Sequence, residues 1–336
     1  MADLTKDATG SKVNLREYSM IFFLLVLFVA SSLFVDRFFT LRNIINVSGQ
    51  ISINALLATG MTFVILVGGI DLSVGAVAGL TGIITSAIVL EMQDITIGGS
   101  VLLIVACALV IGSLSGLFTA FFVTKLRVPP FIATLAVNNI ARGLAFVYTK
   151  SKPVYGLPSA FKWLGLENLG SISLLEHIPV VQHIPIVAVL MIIVFVIAHL
   201  FLTRTRNGRY VYAVGSNEEV SKLSGIRVNL VKYQVYLICS ILAALAGACY
   251  ASRLQAGQPN AGLGYELTAI AAVAMGGTSM SGGSGGIFQT ALGVLIIGIL
   301  NNAMNLLSIS SYWQTVVMGV IILVAVVSDT GRLKAS

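Results

Sequence analysis

Apolar residues run in long blocks along the whole chain, and polar residues are confined to short intervals between them. Between Asn43 and Leu90 the only charged residue is Asp71. From Ile95 to Thr124 there is none, and between Arg253 and Asp329 only Glu266 interrupts. Blocks of this kind match the roughly 20 apolar residues that a helix needs to cross a hydrocarbon core of about 30 Å. The pattern predicts an all-α polytopic membrane protein with about ten spanning helices. They fall at 18–35, 51–69, 72–92, 98–124, 131–149, 185–203, 233–253, 263–276, 287–307 and 311–328. The first block follows Lys12 and Arg16, is longer than a signal-peptide core and lacks a small-residue cleavage site, so it reads as a retained helix. The amphipathic stretch 38–50 reads as lying at the membrane interface. Residues 150–184, with Pro153, Pro158 and Pro179 among Lys150, Lys152 and Lys162, read as an exposed loop; 203–232 is the longest charged segment. The domain reading is a leader at 1–17, one membrane domain at 18–328 and a tail at 329–336.

Composition supports the pattern. The 336 residues are 57% hydrophobic and 10% charged, against roughly 25% charged in a soluble domain. The formal charge of +7 has no stripe of basic residues with interleaved aromatics, which argues against a nucleic-acid partner. Its distribution is more useful. With the N-terminus placed in the cytoplasm, Arg37, Arg42, Lys150, Lys152, Lys162 and Arg253 fall outside, Arg142 falls within a helix, and the remaining lysines and arginines fall inside. That asymmetry predicts cytoplasmic termini, an external proline-containing loop and a cytoplasmic 203–232 segment. Cys107, Cys239 and Cys249 all lie in apolar blocks, as packing residues do.

Two glycine-rich stretches look alike, GGIDLSVG from Gly68 and GGTSMSGG from Gly276. Five helices on each side of the external loop would make an internal repeat inverted in topology. However, the first stretch follows the second helix of its half and the second follows the third, which a simple inversion does not give. Neither has the lysine and hydroxyl of a phosphate-binding loop, so the chain is not expected to hydrolyse ATP. Gly282–Gly286 formally fits a GxSxG nucleophile pattern, without weight in so glycine-rich a run. His177, His183 and His199 lack metal-ligand spacing, so no metal site is expected. The glycines suit helix breaks away from lipid or close crossings, as in Gly75/Gly79 and Gly112/Gly116. Asp71 either caps the following helix or lines a pathway. Arg142 needs a partner, for which Glu266 and Asp71 are both available. The amides Asn54, Asn138, Asn139, Asn301, Asn302 and Asn305 lie within apolar blocks. They suit an uncharged polar solute or bonds between helices. The candidate pathway residues are Asp71, Ser73, Asn138, Asn139, Asn301 and Asn305.

Within the charged segment, Asn217 to Ser224 predicts a short polar helix stopped by Gly225, with glutamates at its start and Lys222 in its last turn. Four stretches now carry a resemblance: GGIDLSVGA from Gly68, FIATLAVNNIARGLAFVYT from Phe131, GRYVYAVGSNEEVSKLSGIRV from Gly208, and YELTAIAAVAMGGTSMSGGSG from Tyr265, continuing to Gln314. Together they resemble the permease subunits of ABC importers for monosaccharides, over nearly the whole chain. The family's coupling loop has a glutamate, two small residues and a glycine six positions after the glutamate. These fall on Glu219, Val220, Ser221 and Gly225, with valine where the family has alanine. Many relatives carry aspartate where this chain has Thr268. The resemblance implies a multi-pass protein of the bacterial inner membrane, embedded in lipid, that carries a monosaccharide inward, ribose first among them. It implies a second copy of the chain, with the path at the dimer interface. A cytoplasmic ATPase, which binds ATP and magnesium in place of any cofactor here, would dock on Asn217, Glu218, Glu219, Val220, Ser221, Lys222, Leu223, Ser224 and Gly225. A periplasmic sugar-binding protein would deliver the substrate. The rival class, an ion-coupled secondary sugar transporter, would want several carboxylates within the membrane, and only Asp71 and Glu266 are candidates.

Overall fold

The computed structural model describes residues 15–172, 178 and 181–333. His177 and the basic residues Lys6, Lys12 and Lys334 lie outside them. The described chain is helical: α1 (Leu15–Phe34), α2 (Leu41–Leu66), α3 (Val74–Glu91), α4 (Ile97–Thr124), α5 (Pro130–Thr149), α6 (Ile186–Arg204), α7 (Arg206–Ser216), α8 (Glu218–Leu223), α9 (Val228–Leu254), α10 (Tyr265–Met275), α11 (Ile287–Leu306) and α12 (Ser311–Leu333). Among the described residues, β-pairing is limited to two isolated bridges, Val154 with Gly257 and Asn168 with Pro185. Each apolar block is helical. Seven helices, α2 to α6, α9 and α11, are long and apolar enough to cross a membrane; Met20–Phe34, Tyr265–Met275 and Ser311–Val324 are shorter apolar helices.

Local chemistry sets the boundaries. Thr40, Thr96 and Thr205 cap α2, α4 and α7 by accepting from the backbone N–H three residues on. Pro130 opens α5, where its missing N–H is not needed. Inside the bundle Thr59, Thr62, Thr81 and Thr85 return their hydroxyls to carbonyls four residues earlier, which satisfies them without water. Thr62 and Thr290 also meet across α2 and α11 at 2.7 Å.

Helices α2 and α9 form the centre. α9 packs on α2, α3 and α4, and α2 also packs on α6, α10 and α11. In its most apolar stretch α2 is 89% buried, against 28% for α4, α5 and α6. Those three therefore form the periphery, with Leu102, Val110, Leu114 and Ile197 turned outward. The small-residue spacing works as a crossing. Gly112 and Gly116 sit where a Cβ would strike the α9 backbone at Ser240–Ile241 and Tyr236–Leu237, so helices approach as closely as backbones allow.

Two expectations are corrected. Residues 38–50 are not a separate interfacial segment: from Leu41 they are the first turns of α2, which runs unbroken for 26 residues, about 39 Å. The polar positions that suggested an interface hold neighbouring helices instead, since Asn43 and Asn302 exchange two 2.9 Å amide hydrogen bonds between α2 and α11. Nor is 150–184 merely an exposed loop. It contains 3-10 turns at Ser159–Trp163, Leu169–Ser171 and Val181–His183. Phe161 is fully buried, and Ser252 of α9 donates to its carbonyl while accepting from Gly165 N–H at 3.0 Å. The loop is seated in one end of the bundle.

Candidate functional site

The predicted polar helix is α8. Asn217 caps it, accepting from Val220 N–H at 3.0 Å, and Gly225 follows in the left-handed conformation at φ +81°. Its base is held by Glu218, which is 2.7 Å from both Lys222 and Lys232. Partial burial pushes the Glu218 carboxyl up, but the two lysines outweigh it and hold the group below its ordinary 4.5. Ser221 faces inward, while Glu219, Val220 and Leu223 face outward. Leu223 is 89% exposed on a charged segment, so α8 presents an anchored surface with apolar points.

The sequence reading missed α7, whose Gly208 and Thr205 cap were its available signals. α7 carries α8 onto the two glycine stretches, which meet in space. Gly283 N–H donates to Leu66 O at 3.0 Å, and Tyr212 of α7 donates to Gly285 O at 2.9 Å. Gly215 fits between them, where any Cβ would collide with Leu66 O and with Gly283 N. Gly282 and Gly283 have φ of +91° and +74°, which favours glycine. One joint therefore links the ends of α2 and α7 with the turn between α10 and α11.

Asp71 and Ser73 follow this joint in the chain and have no accessible surface. Asp71 Oδ1 accepts from Ser73 N–H at 2.8 Å and from its hydroxyl at 2.6 Å, closing a turn just ahead of α3. Asn138 of α5 donates to Leu72 O at 2.5 Å, tying a third candidate to the same turn. The other candidates are elsewhere. Asn139 is on the exposed face of α5, Asn301 is half-buried, and exposed Asn305 accepts from Gln314 at 2.8 Å. The six therefore form one cluster of three and three separate positions.

Arg142, one helical turn beyond Asn138 on α5, turns to the segment that follows α9. Its guanidinium donates to Pro259 O at 3.1 Å and Ala261 O at 2.6 Å, with Glu266 as the attracting charge, while Asp71 is taken up by Ser73. Arg253 donates to Asn46 O at 3.1 Å. Beside it lies a polar cavity of about 210 Å³ between α2, α9 and α10. Its residues were not among the candidates. The pairs Gln50/Asn54 and Tyr250/Arg253, at helical spacings, were the available signals. Among the described residues no group of three His, Cys, Asp or Glu side chains could hold a metal ion.

Comparison with known proteins agrees with this arrangement. Residues 43–326 match the family model described as the branched-chain amino acid transport system / permease component. The chain is 44% identical over 326 residues, 96% of each chain, to the ribose import permease protein RbsC of Escherichia coli. It is 44% identical to that of Bacillus subtilis, over 91% of this chain and 90% of the other. The L-arabinose transport system permease protein AraH of Escherichia coli is 36% identical, over 95% of this chain and 92% of the other. No solved structure matches.

Proposed function

This chain belongs to the family of branched-chain amino acid transport system / permease components, and from that premise we propose that it is the membrane-spanning subunit of an ATP-driven importer of ribose. It is a multi-pass integral protein of the bacterial inner membrane. In the proposed reading the three shorter apolar helices bring the spans to ten, both termini are cytoplasmic, and 150–184 is periplasmic. Two copies form the path. A separate ATPase supplies energy, binding ATP and magnesium itself, and a periplasmic binding protein delivers the sugar.

The observation that carries this reading is α8, an anchored helix with exposed Val220 and Leu223, joined through α7 to the glycine joint. A push on α8 has a short, stiff route to the ends of α2 and α10, which is what an engine outside the chain requires. Of the pathway candidates, Asn139 and Asn305 are exposed; Asn305 accepts from Gln314, whereas Asn139 lies on an outer face of α5, where an uncovered amide would be costly in lipid, and we assign it to the path or the second copy. Asn301 and Asn305 continue the path. Asp71, Ser73 and Asn138 act within it, holding the start of α3 to the middle of α5 in this conformation.

The test is uptake of labelled ribose by vesicles carrying permease, ATPase and binding protein. Uptake should require ATP, survive collapse of ion gradients, and disappear in Glu219→Lys and Gly225→Trp while the permease remains inserted. Uptake that persists after deletion of the ATPase gene would refute the reading in favour of an ion-coupled transporter.

A further inference from the structure

The polar cavity beside Arg253 lies on the end of the bundle that holds the 150–184 loop, since Val154 of that loop bridges to Gly257, just past α9. Gln50 and Asn54 stand one helical turn apart on α2, Tyr250, Arg253 and Leu254 are in the last turns of α9, and Tyr265 opens α10. Neither Gln50 nor Asn54 has a hydrogen-bond partner among the described residues. Yet Asn54 lies within the membrane-crossing part of α2, where an unbonded amide costs several kcal/mol unless water or a solute meets it. Arg253 is fixed in place by the Asn46 carbonyl and by its seat against Gly49, leaving other donors of its planar fork for a ligand. The Tyr250 and Tyr265 rings meet edge to face at 5.7 Å, giving a rigid aromatic wall.

The mixture decides the ligand. A phosphate site would gather several cations, and here there is one. An apolar ligand would not need two amides. Planar amides and a guanidinium that pair with vicinal hydroxyls, next to aromatic faces for C–H surfaces, suit a neutral polyhydroxylated solute. The volume of about 210 Å³ is below the roughly 300–1,000 Å³ usual for drug-sized ligands and is of the size of one pentose. We propose that this cavity is a monosaccharide subsite within each protomer, the first station for sugar arriving at this end of the permease. The proposal rests on the import reading and deepens it by naming where the sugar is first held.

The native cysteines are buried, so a single introduced cysteine reports local access. In the full-length permease in lipid nanodiscs, Leu254→Cys at the cavity rim is labelled with a polar maleimide, with and without D-ribose. Ribose at about ten times its dissociation constant should slow labelling roughly tenfold. Leu263→Cys, on the nearby loop, should be unaffected, and adding Arg253→Gln or Asn54→Leu to Leu254→Cys should remove the protection. Equal protection by glycerol would overturn the subsite in favour of a water-filled vestibule. Protection that follows phosphatidylglycerol content rather than ribose would overturn it in favour of a lipid headgroup. Absence of ribose protection, in a permease whose assembled transporter still imports ribose with ATP, would overturn the subsite and leave the import reading standing. Absence of ATP-driven pentose uptake altogether would overturn that reading instead.

Discussion

The two ends of this bundle differ in how far side chains take part in joining them. At the end that carries α7 and α8, the joint is backbone against backbone: Gly283 N–H on Leu66 O, with Gly215 wedged between them. At the other end, backbone pairing such as Val154 with Gly257 is supplemented by long side chains: Arg142 to the carbonyls of Pro259 and Ala261, and Arg253 to that of Asn46. A backbone joint has no slack, because a displacement of about 1 Å opens a clash or a void. An arginine on a flexible stem can follow a moving carbonyl and keep its hydrogen bond. In an importer driven from the α8 end, the backbone joint delivers the displacement, and at the other end the Arg142 contacts are the ones able to follow it.

The contrast is broken most severely at Gly215. Gly215→Val places branched carbon against Leu66 O and Gly283 N, with no flexible side chain to give way. Overpacking of this kind costs about 3 kcal/mol, so uptake should fall to background and thermal unfolding in detergent should occur at clearly lower temperature. Gly98→Ala is the matched control. Nothing lies within 4 Å of the Cβ it would add, and its stability should stay within about 0.5 kcal/mol of the parent.

Next in size is the arginine end. Arg142→Met frees two carbonyls and leaves Glu266 Oε2, already buried without a hydrogen-bond partner among the described residues, without its counter-charge. Removing one member of a fully buried pair costs about 3 kcal/mol and removing both costs less; here both groups are partly buried and not in direct ion contact, so the cost should be smaller. Arg142→Met with Glu266→Gln should therefore be more stable than Arg142→Met alone when unfolding is followed in the same detergent. Equal stability would mean that Arg142 acts only through the carbonyls.

A smaller effect separates α8 from both ends, and it depends on pH. Glu218 is held below its ordinary 4.5 by Lys222 and Lys232, against the upward push of partial burial. A carboxyl with a lowered folded pKa stabilises above its unfolded value and loses that contribution as pH falls through the folded one. Hydrogen exchange of α8, corrected for intrinsic rate, should be flat from pH 8 to about 5 and rise below about 4.5. In Glu218→Gln it should be raised above about pH 5, converge with the parent at low pH, and show no such step.

How much of this was legible in the chain follows from the physics of each signal. Hydropathy located every helical block, because lipid imposes one sign of residue over a whole span. It misplaced the start of α2, because Asn43 and Gln50 are polar for reasons internal to the protein. It also left 150–184 as an exposed loop, since one buried Phe161 is invisible among prolines and lysines. The cap of α8 was readable from Asn217, the two glutamates and Gly225, all local features. The partner of Arg142 was not, because both candidate carboxylates have the right charge and only three-dimensional packing distinguishes them. Backbone carbonyls, its actual hydrogen-bond acceptors, leave no mark in a sequence. The cavity of Gln50, Asn54, Tyr250, Arg253 and Tyr265 was hidden for the same reason: some 200 residues separate its two halves.

The smallest effect is expected at an ion pair that resembles the α8 anchor in geometry alone. Lys162 and Glu167 are 2.8 Å apart, with side chains 41% and 31% exposed. Lys232 and Glu218 are 2.7 Å apart, but Lys232 is only 19% exposed and Glu218 also bonds Lys222. A solvated pair is screened by salt and must hold two long side chains still, so it contributes about 0–1 kcal/mol. Lys162→Ala should shift stability by less than about 0.5 kcal/mol and leave ribose uptake unchanged. The loop keeps its seat through Phe161 and the Ser252 hydroxyl, which do not involve the lysine. Lys232→Ala should loosen α8 measurably by hydrogen exchange and lower uptake. If Lys162→Ala proved as damaging as Lys232→Ala, the loop end would be a stiff joint as well, and the division of labour between the two ends would fail.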